Sequence, residues 1–167
     1  MIHVWRLVTK HRRADAFTGE GARLYGGRWN RKGIPMIYTA QSQALAMVEM
    51  LVQDEPLRAR YVFIPADIPE SLTIERIGLK QLPKNWRSAQ QIEWLREYGS
   101  KWALSKRTVV LAVLSAVVPT EINYLMNPLH PSFSQIKIGK MLSFITDPRL
   151  LRKRDLTRYS ATVLAFP

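Results

Sequence analysis

The sequence predicts an α+β fold, and three observations support this class. Short alternating or continuous apolar runs, typical of strands, recur along the chain, and longer stretches have the apolar spacing of helices. The two kinds of element do not alternate strictly, as they would in a doubly wound parallel sheet. The 167 residues contain no repeat or low-complexity tract. We therefore expect one domain with a substantial core.

In chain order, the patterns predict strands and two long helices. The strands are expected at residues 2–8, 34–39, 60–68, 72–77, 108–114 (as a central strand) and 144–146. Ser42 is a suitable N-cap for a helix that runs to about Gln53. A second helix is predicted between residues 86 and 106, with a break near Gly99 and Ser100. Residues 18–27 hold four of the eight glycines and are predicted to form a loop.

Composition restricts the class of protein. Hydrophobic residues make up 47% and charged residues 23% of the chain, as is typical of a globular domain. The absence of cysteine excludes disulfides, thiolate catalysis and sulfur-ligated metal sites. The first residues do not have the apolar region of a signal peptide, and no stretch approaches the roughly 20 apolar residues of a membrane span. We therefore expect a cytoplasmic protein.

The net charge of +12 comes from 25 Lys and Arg against 13 Asp and Glu. It favours anionic partners, which include phosphorylated metabolites, acidic proteins and nucleic acid. The basic residues are scattered, apart from small clusters at 10–13 and 152–154. A solvated basic surface, docking of an acidic protein and binding of nucleic acid are therefore all compatible with the charge.

Three segments place polar side chains where a core would require apolar ones. Arg28 follows two glycines, Glu49 lies inside the apolar run 44–52, and Ser115 ends the apolar run 109–114. A buried charge destabilises a fold unless it is paired or used. Three such segments in one small chain indicate a site.

Each of these residues also has a purely structural interpretation. Arg28 offers a planar fork of donors that matches phosphate oxygens, or it is a salt-bridged turn residue. Glu49 has apolar helical neighbours, so its carboxylate is neutralised, paired with Arg6 or Arg28, or turned into a pocket. Tyr38 is a core aromatic or a surface for stacking. Ser115 satisfies a local backbone group or takes part in the site.

The polar residues after Ser115 are interpreted as turn and loop-pinning residues, namely Glu121, Asn123 and Asn127. The three histidines have no metal-ligand spacing, and we expect no metal. His130 is the only histidine near a motif. Asn127 and His130 are therefore secondary candidates for the site.

The residue set excludes several reactions. The chain has no cysteine, no plausible Ser–His pair and no second carboxylate at glycosidase spacing. A carboxylate, a guanidinium, an aromatic ring and a hydroxyl suit cleavage of an N-glycosidic bond with a positively charged leaving group. A preplaced carboxylate stabilises the oxocarbenium character that develops at the sugar carbon.

Together the segments resemble the RES-domain family, the toxin half of Xre–RES toxin–antitoxin pairs. The resemblance extends from residues 5–7 to 147–150. Its most specific stretches are residues 27–30, 37–40, the helix of Glu49, and 115–128, in the order of the family. The arginine, glutamate and serine for which the family is named correspond to Arg28, Glu49 and Ser115.

The resemblance implies a RES domain over residues 1–150, with a fold like that of diphtheria-toxin-type ADP-ribosyltransferases, in which a split, mostly antiparallel β core surrounds an NAD cleft. It implies a toxin that cleaves the nicotinamide–ribose bond of NAD by hydrolysis or phosphorolysis. Glu49, Arg28 and Ser115 would be catalytic, and Tyr38, Arg6 and Arg28 would bind the substrate. NAD is then a substrate, no cofactor is expected, and inorganic phosphate is a candidate co-substrate.

The resemblance also implies partners. A cognate Xre-type antitoxin would cover the active site, the toxin would pair with itself in the complex, and nucleic acid would be contacted only through the antitoxin. The basic tail at residues 151–167 departs from the family pattern. The alternative functions are a protein ADP-ribosyltransferase and a basic binding module with a vestigial site.

Overall fold

The strands join in one mixed sheet whose order does not follow the sequence. The computed structural model describes residues 1–52 and 60–147. Its strands are β1 (Ile2–Thr9), β2 (Ile37–Ala40), β3 (Tyr61–Ile68), β4 (Ile74–Arg76), β5 (Val110–Leu114), β6 (Ile122–Met126), β7 (Lys137–Ile138) and β8 (Leu142–Phe144). Their order is β4-β5-β6-β2-β1-β3-β7, and β8 also pairs with β3. Among these strands β4 and β5 run parallel, and the other pairs are antiparallel.

The described residues form three α-helices, α1 (Glu20–Tyr25), α2 (Gln43–Leu51) and α3 (Ile92–Ser105). Helix α2 begins where the sequence predicts, because the Ser42 hydroxyl accepts a hydrogen bond from the Leu45 amide at 3.0 Å. Its predicted end near Gln53 lies outside the described residues. Separate helices and a largely antiparallel sheet confirm the α+β class.

Helices α2 and α3 pack on the same face of the sheet. Leu45 of α2 shares a cluster with Ala40 of β2. Trp102 of α3 shares another cluster with Leu125 of β6, and Tyr38 of β2 packs against this second cluster. Because Tyr38 and Ala40 are two residues apart on one strand, their side chains leave the same face. Strand β2 therefore lies beneath both helices.

The sheet is weakly joined between β1 and β2. These strands share one register pair, Trp5 with Ala40, whereas β1 pairs with β3 along its whole length, from Ile2 to Thr9. Next to the single pair, the Arg6 guanidinium donates a hydrogen bond to the Tyr38 carbonyl at 2.6 Å. The Arg6 side chain thus adds a bond between β1 and β2 where their backbone pairing is sparse, and here the continuous sheet comes nearest to the split core that the family resemblance implies.

Some local predictions are wrong. The loop predicted at 18–27 contains α1, whose first turn has an Arg23–Glu20 ion pair at 2.6 Å. By contrast, the apolar run 108–114 contains β5, an interior strand as predicted, because β5 pairs with β4 on one side and with β6 on the other. The last strand ends at Phe144, two residues earlier than predicted.

Helix α3 is continuous where the sequence predicts a break. Gly99 and Ser100 are both buried, and a Cβ at Gly99 would lie 2.0 Å from the Trp29 carbonyl oxygen. The small residues therefore permit close packing against the segment of Trp29 and do not interrupt the helix.

The tail at 151–167 lies outside the described residues. Within residues 1–52 and 60–147, no helix combines the length and apolar character needed to cross a bilayer.

Candidate active site

A glycine-containing turn between α1 and β2 carries Arg28. Gly26 ends α1 with a φ of 73°, a conformation that favours glycine. Gly27 lies against the side chain of Tyr38, since a Cβ at Gly27 would be 2.5 Å from the tyrosine hydroxyl. The first glycine is thus required by the backbone conformation and the second by the close approach of Tyr38.

Tyr38 fixes the segment that carries Arg28. Its hydroxyl donates to Asn30 Oδ1 at 2.7 Å and accepts from the Trp29 amide at 3.0 Å. Asn30 is fully buried, and its Nδ2 donates to the carbonyls of Ala22, Arg31 and Ile34. The hydroxyl is therefore a structural anchor, and the stacking role of the half-buried Tyr38 ring stays a prediction.

The charges of three guanidinium groups affect the pKa of the Tyr38 hydroxyl. Burial raises the pKa of Tyr38 well above its usual value, and the Trp29 amide, Arg96, Arg6 and Arg28 oppose this shift. The phenol is consequently neutral at physiological pH and donates its proton to Asn30. Two of the three cations, Arg6 and Arg28, are those that the sequence predicts at the site.

Arg6 and Arg28 each have a nitrogen donor that forms no hydrogen bond among the described residues. Arg6 Nε and Arg28 Nη1 are buried without a hydrogen-bond partner, and neither residue forms an ion pair within residues 1–52 and 60–147. Burial lowers the pKa of Arg6 to about 10, so it remains protonated at neutral pH. Buried guanidinium groups without a carboxylate destabilise a fold. A group that reached these solvent-shielded nitrogens would supply the missing acceptors, and an anion such as a diphosphate has the chemistry to do so.

Glu49 is held by two donors on one oxygen. Its Oε1 accepts from Ser115 Oγ at 2.7 Å and from Asn123 Nδ2 at 2.6 Å. The Ser115 oxygen also accepts from the amides of Val117 and Val118, at 3.1 and 3.0 Å. A hydroxyl has one proton and two lone pairs, so Ser115 uses all of them and directs its proton at Glu49. This arrangement makes Ser115 an orienting group and not a free nucleophile.

The other oxygen of Glu49 is available. Oε2 makes no hydrogen bond within the described residues and is not among the buried unpartnered atoms, and the residue is partly exposed. Glu49 is not ion-paired with Arg6 or Arg28. Of the three interpretations of Glu49, the geometry favours a carboxylate that faces open space.

Asn123 was predicted to pin a loop, but its side chain instead donates to the Glu49 carboxylate. It lies on β6 opposite Val113 of β5, on the same face as Leu125 two residues further on. Ser115 follows β5, and its amide donates to the Glu121 carbonyl at 2.9 Å across the hairpin. The alternation of Asn123 with Leu125, beside the position of Ser115, is the signal that could have identified it.

The secondary candidates follow the C-terminal end of β6 and have hydrogen-bond partners away from Glu49. Asn127 Nδ2 donates to the Ala103 carbonyl at 2.7 Å, and His130 Nδ1 accepts from the Ser132 amide at 3.0 Å. The structure therefore does not bring Asn127 and His130 together with Asn123 and Glu49.

Arg96 of α3 has no counterpart in the sequence analysis. Its Nε donates to the Gly27 carbonyl at 2.9 Å, and its Nη1 donates to Glu93 at 2.9 Å. A helical arginine among other charged residues gives no sequence signal, because its partner is a backbone atom far along the chain. In the described part of the chain no cluster of three or more acidic or histidine side chains could hold a metal ion.

The fold is similar to that of a known toxin–antitoxin component. A chain in the crystal structure of the M. tuberculosis MbcT–MbcA toxin–antitoxin complex superposes with a TM-score of 0.70. The similarity covers 89% of this chain and 86% of that one, at 20% identity. At this identity the likeness establishes the fold alone.

Residues 3–147 match the RES domain family, and the chain belongs to that family. A Prs ADP-ribosylating toxin from Sphingobium sp. is 38% identical, over 89% of this chain and 96% of its own length. A Toxin Res from Yersinia enterocolitica is 39% identical over 88% and 98%, and a Toxin Res from Photorhabdus laumondii is 35% identical over 90% and 98%. The chain thus falls among RES-type toxins.

Proposed function

We propose that this chain is the toxin of a toxin–antitoxin pair and that it cleaves the bond between nicotinamide and ribose in NAD. The observation that carries the proposal is the combination of an oriented, partly free carboxylate at Glu49 with guanidinium groups at Arg6 and Arg28 that form no ion pair and each keep one unpartnered donor nitrogen among the described residues. A dinucleotide with a diphosphate and a cationic ribosyl–nicotinamide carries the complementary charges.

In the proposed reaction, the bond from C1′ of ribose to the nicotinamide nitrogen breaks. The bonding electron pair leaves with nicotinamide, which departs as a neutral base, and C1′ gains oxocarbenium character. Glu49 stabilises this charge, while Ser115 and Asn123 hold the carboxylate in place. A new C1′–O bond then forms with the acceptor. A water acceptor releases its proton to solvent, and a phosphate acceptor gives a ribose 1-phosphate.

The positive end of the site binds the diphosphate in this proposal. Arg28 Nη1 and Arg6 Nε have no hydrogen-bond partner in the part of the chain that the structure describes, and guanidinium nitrogens are donors that match phosphate oxygens. The carboxylate then acts on the ribose while the arginines hold the phosphates. In this proposal the Tyr38 ring stacks on nicotinamide.

A second candidate function shares the same first step. The Sphingobium relative is named a Prs ADP-ribosylating toxin, which favours transfer of the ADP-ribosyl group to a protein as the alternative. In that case the acceptor is a protein side chain in place of water or phosphate. Glu49 and the arginines would have unchanged roles.

We further propose that a cognate antitoxin of Xre type covers the site in a cytoplasm where the free toxin would deplete NAD, and that two toxin chains pair in the complex. The net charge of +12 favours an antitoxin that is acidic where it docks. Such docking would accelerate association at low salt. Nucleic acid would be contacted through the antitoxin.

The test is a product analysis with NAD labelled in the adenine ring. The purified chain is incubated with a protein extract, with and without inorganic phosphate, and the label is followed in nucleotides and in protein. Free ADP-ribose indicates hydrolysis, a phosphorylated ADP-ribose indicates phosphorolysis, and labelled protein indicates transfer. No loss of NAD in any arm would contradict the proposal and favour a binding module with a vestigial site.

A further inference from the structure

Helix α3 contacts the Arg28 segment through backbone atoms at three points. Arg96 Nε donates to the Gly27 carbonyl at 2.9 Å. The Ser100 hydroxyl accepts from the Arg31 amide at 3.0 Å. Between these contacts, the Cα of Gly99 packs so closely on the Trp29 carbonyl that a Cβ there would lie 2.0 Å from the oxygen.

The three contacting residues of α3 share one helical face. Arg96 is three residues before Gly99 and four before Ser100, which are the spacings of neighbours on successive turns. Their contacts lie on both sides of Arg28 in the chain. The segment from Gly27 to Arg31 is thus attached to α3 both before and after Arg28.

The surface ion pairs between the same elements are weaker contacts. Arg31 lies 2.7 Å from Glu97 and 3.5 Å from Glu93, and these side chains are between about a third and two thirds exposed. Exposed pairs of this kind stabilise little. The directional contacts to the backbone therefore define the position of the segment.

Arg96 also has an electrostatic effect on the site. Of the three arginines that oppose the raised pKa of Tyr38, Arg96 has the largest effect. Its side chain is partly exposed and is bonded to Glu93. Its charge thus lies close to the anchor that holds the turn.

We propose that Arg96, Gly99 and Ser100 form an α3 clamp that positions Arg28 for the diphosphate of the substrate. The inference rests on the proposed function for its ligand, but the clamp itself is a property of the free chain. These residues are positioning residues, since they act through the turn and do not touch the reacting atoms.

The test compares Arg96→Met with Lys101→Met, a control on the same helix whose exposed ammonium pairs with Glu97. We expect Arg96→Met to raise the KM for NAD on the order of 10-fold, the usual effect of a lost charge-assisted hydrogen bond, with kcat changed less than KM. Lys101→Met should leave both KM and kcat unchanged. Arg96→Lys retains a donor, so its KM should rise less than that of Arg96→Met.

Two further measurements distinguish positioning from general destabilisation. In an Arg28→Lys background, Arg96→Met should raise KM by a smaller factor, because the group that it positions is already altered. Hydrogen exchange of the amides of Trp29 and Arg31 should be faster in Arg96→Met and in Ser100→Ala than in Lys101→Met.

The exchange measurement does not depend on activity, so it separates the two proposals. A parental chain that does not consume NAD contradicts the proposed function, and the clamp is then judged on exchange alone. Unchanged exchange at Trp29 and Arg31 in both variants overturns the clamp. If Arg96→Met raises KM by the same factor in the parental chain and in the Arg28→Lys background, the clamp does not act through Arg28.

Discussion

The two ends of the candidate site differ in how completely their polar atoms are satisfied. At the carboxylate end, Ser115 uses every hydrogen-bonding position, and Glu49 receives two donors on one oxygen. At the cationic end, Arg6 and Arg28 keep buried donors without acceptors. Hydrogen bonds within the protein therefore hold the carboxylate in place, whereas each arginine keeps one donor without an acceptor among the described residues.

This difference indicates a division of roles. A preorganised group with fixed partners suits the stabilisation of charge that develops during a reaction. Unpaired buried donors suit binding, because the free energy lost in holding them is recovered when the ligand is bound. We expect substitutions at the first end to change kcat and substitutions at the second to change affinity.

The largest expected effect is at the carboxylate. Glu49→Gln retains an oxygen that accepts from Ser115 and Asn123, so the fold should be kept, while the negative charge is lost. We expect NAD cleavage to fall by about 10²–10³, measured as nicotinamide release. The matched control is Glu121→Gln in the neighbouring hairpin, which should retain the parental rate. Parental activity in a folded Glu49→Gln chain would remove Glu49 from the mechanism.

The next effect is on affinity. Arg28→Lys keeps the charge but loses the planar fork, and we expect NAD to bind on the order of 10-fold more weakly. Titration calorimetry measures the change, and Arg23→Lys, an exposed arginine paired with Glu20, is the control. An unchanged affinity for NAD would show that Arg28 does not hold the diphosphate.

A pair of substitutions at Tyr38 separates anchoring from stacking. Tyr38→Phe removes the hydroxyl that bridges Trp29 and Asn30, and should lower the free energy of unfolding by about 1–3 kcal/mol. It keeps the ring, so NAD affinity should fall less than in Tyr38→Ala. Chemical denaturation and calorimetry measure the two quantities. Equal affinities in the two variants would argue against stacking.

The smallest expected effect is on stability at Arg6. Burial lowers the pKa of Arg6 from its usual value to about 10, which corresponds to a destabilisation on the order of 3 kcal/mol. This destabilisation is fully present below pH 10 and decreases as the pH rises toward the usual pKa of arginine, because the unfolded chain then binds more protons than the folded one. Arg6→Met removes this destabilisation. It also removes the hydrogen bond to the Tyr38 carbonyl, and this loss offsets the gain in stability.

We therefore expect Arg6→Met to bind NAD more weakly without losing unfolding free energy at neutral pH. Thermal unfolding with and without NAD measures both properties, since ligand binding raises the midpoint. A variant that is less stable by more than about 2 kcal/mol would show that Arg6 is a structural residue.

Local patterns predicted much of the fold. The cap at Ser42 and the strands near residues 2–8 and 60–68 depend on neighbouring residues and were found from the sequence. The predicted break at Gly99 and the predicted loop at 18–27 are wrong, because glycine also occurs where a helix packs closely or ends. At Gly99 the small residue serves a contact with Trp29, 70 positions earlier in the chain.

The same distinction applies to the site. Arg28, Glu49 and Ser115 stand out because each interrupts an apolar or glycine-containing pattern and because of the family resemblance. Asn123 and Arg96 act through partners brought near only by the sheet and by α3. Contacts between distant parts of the chain leave no local pattern, so sequence reasoning missed both.

The most direct test of the division of roles is to measure NAD affinity and nicotinamide release in Glu49→Gln and Arg28→Lys side by side. We predict that Glu49→Gln binds NAD with near-parental affinity yet releases almost no nicotinamide. Arg28→Lys should bind weakly but approach the parental kcat at saturating NAD. If Glu49→Gln instead loses affinity while retaining kcat, or if Arg28→Lys loses kcat without losing affinity, the assignment of chemistry to one end and binding to the other is contradicted.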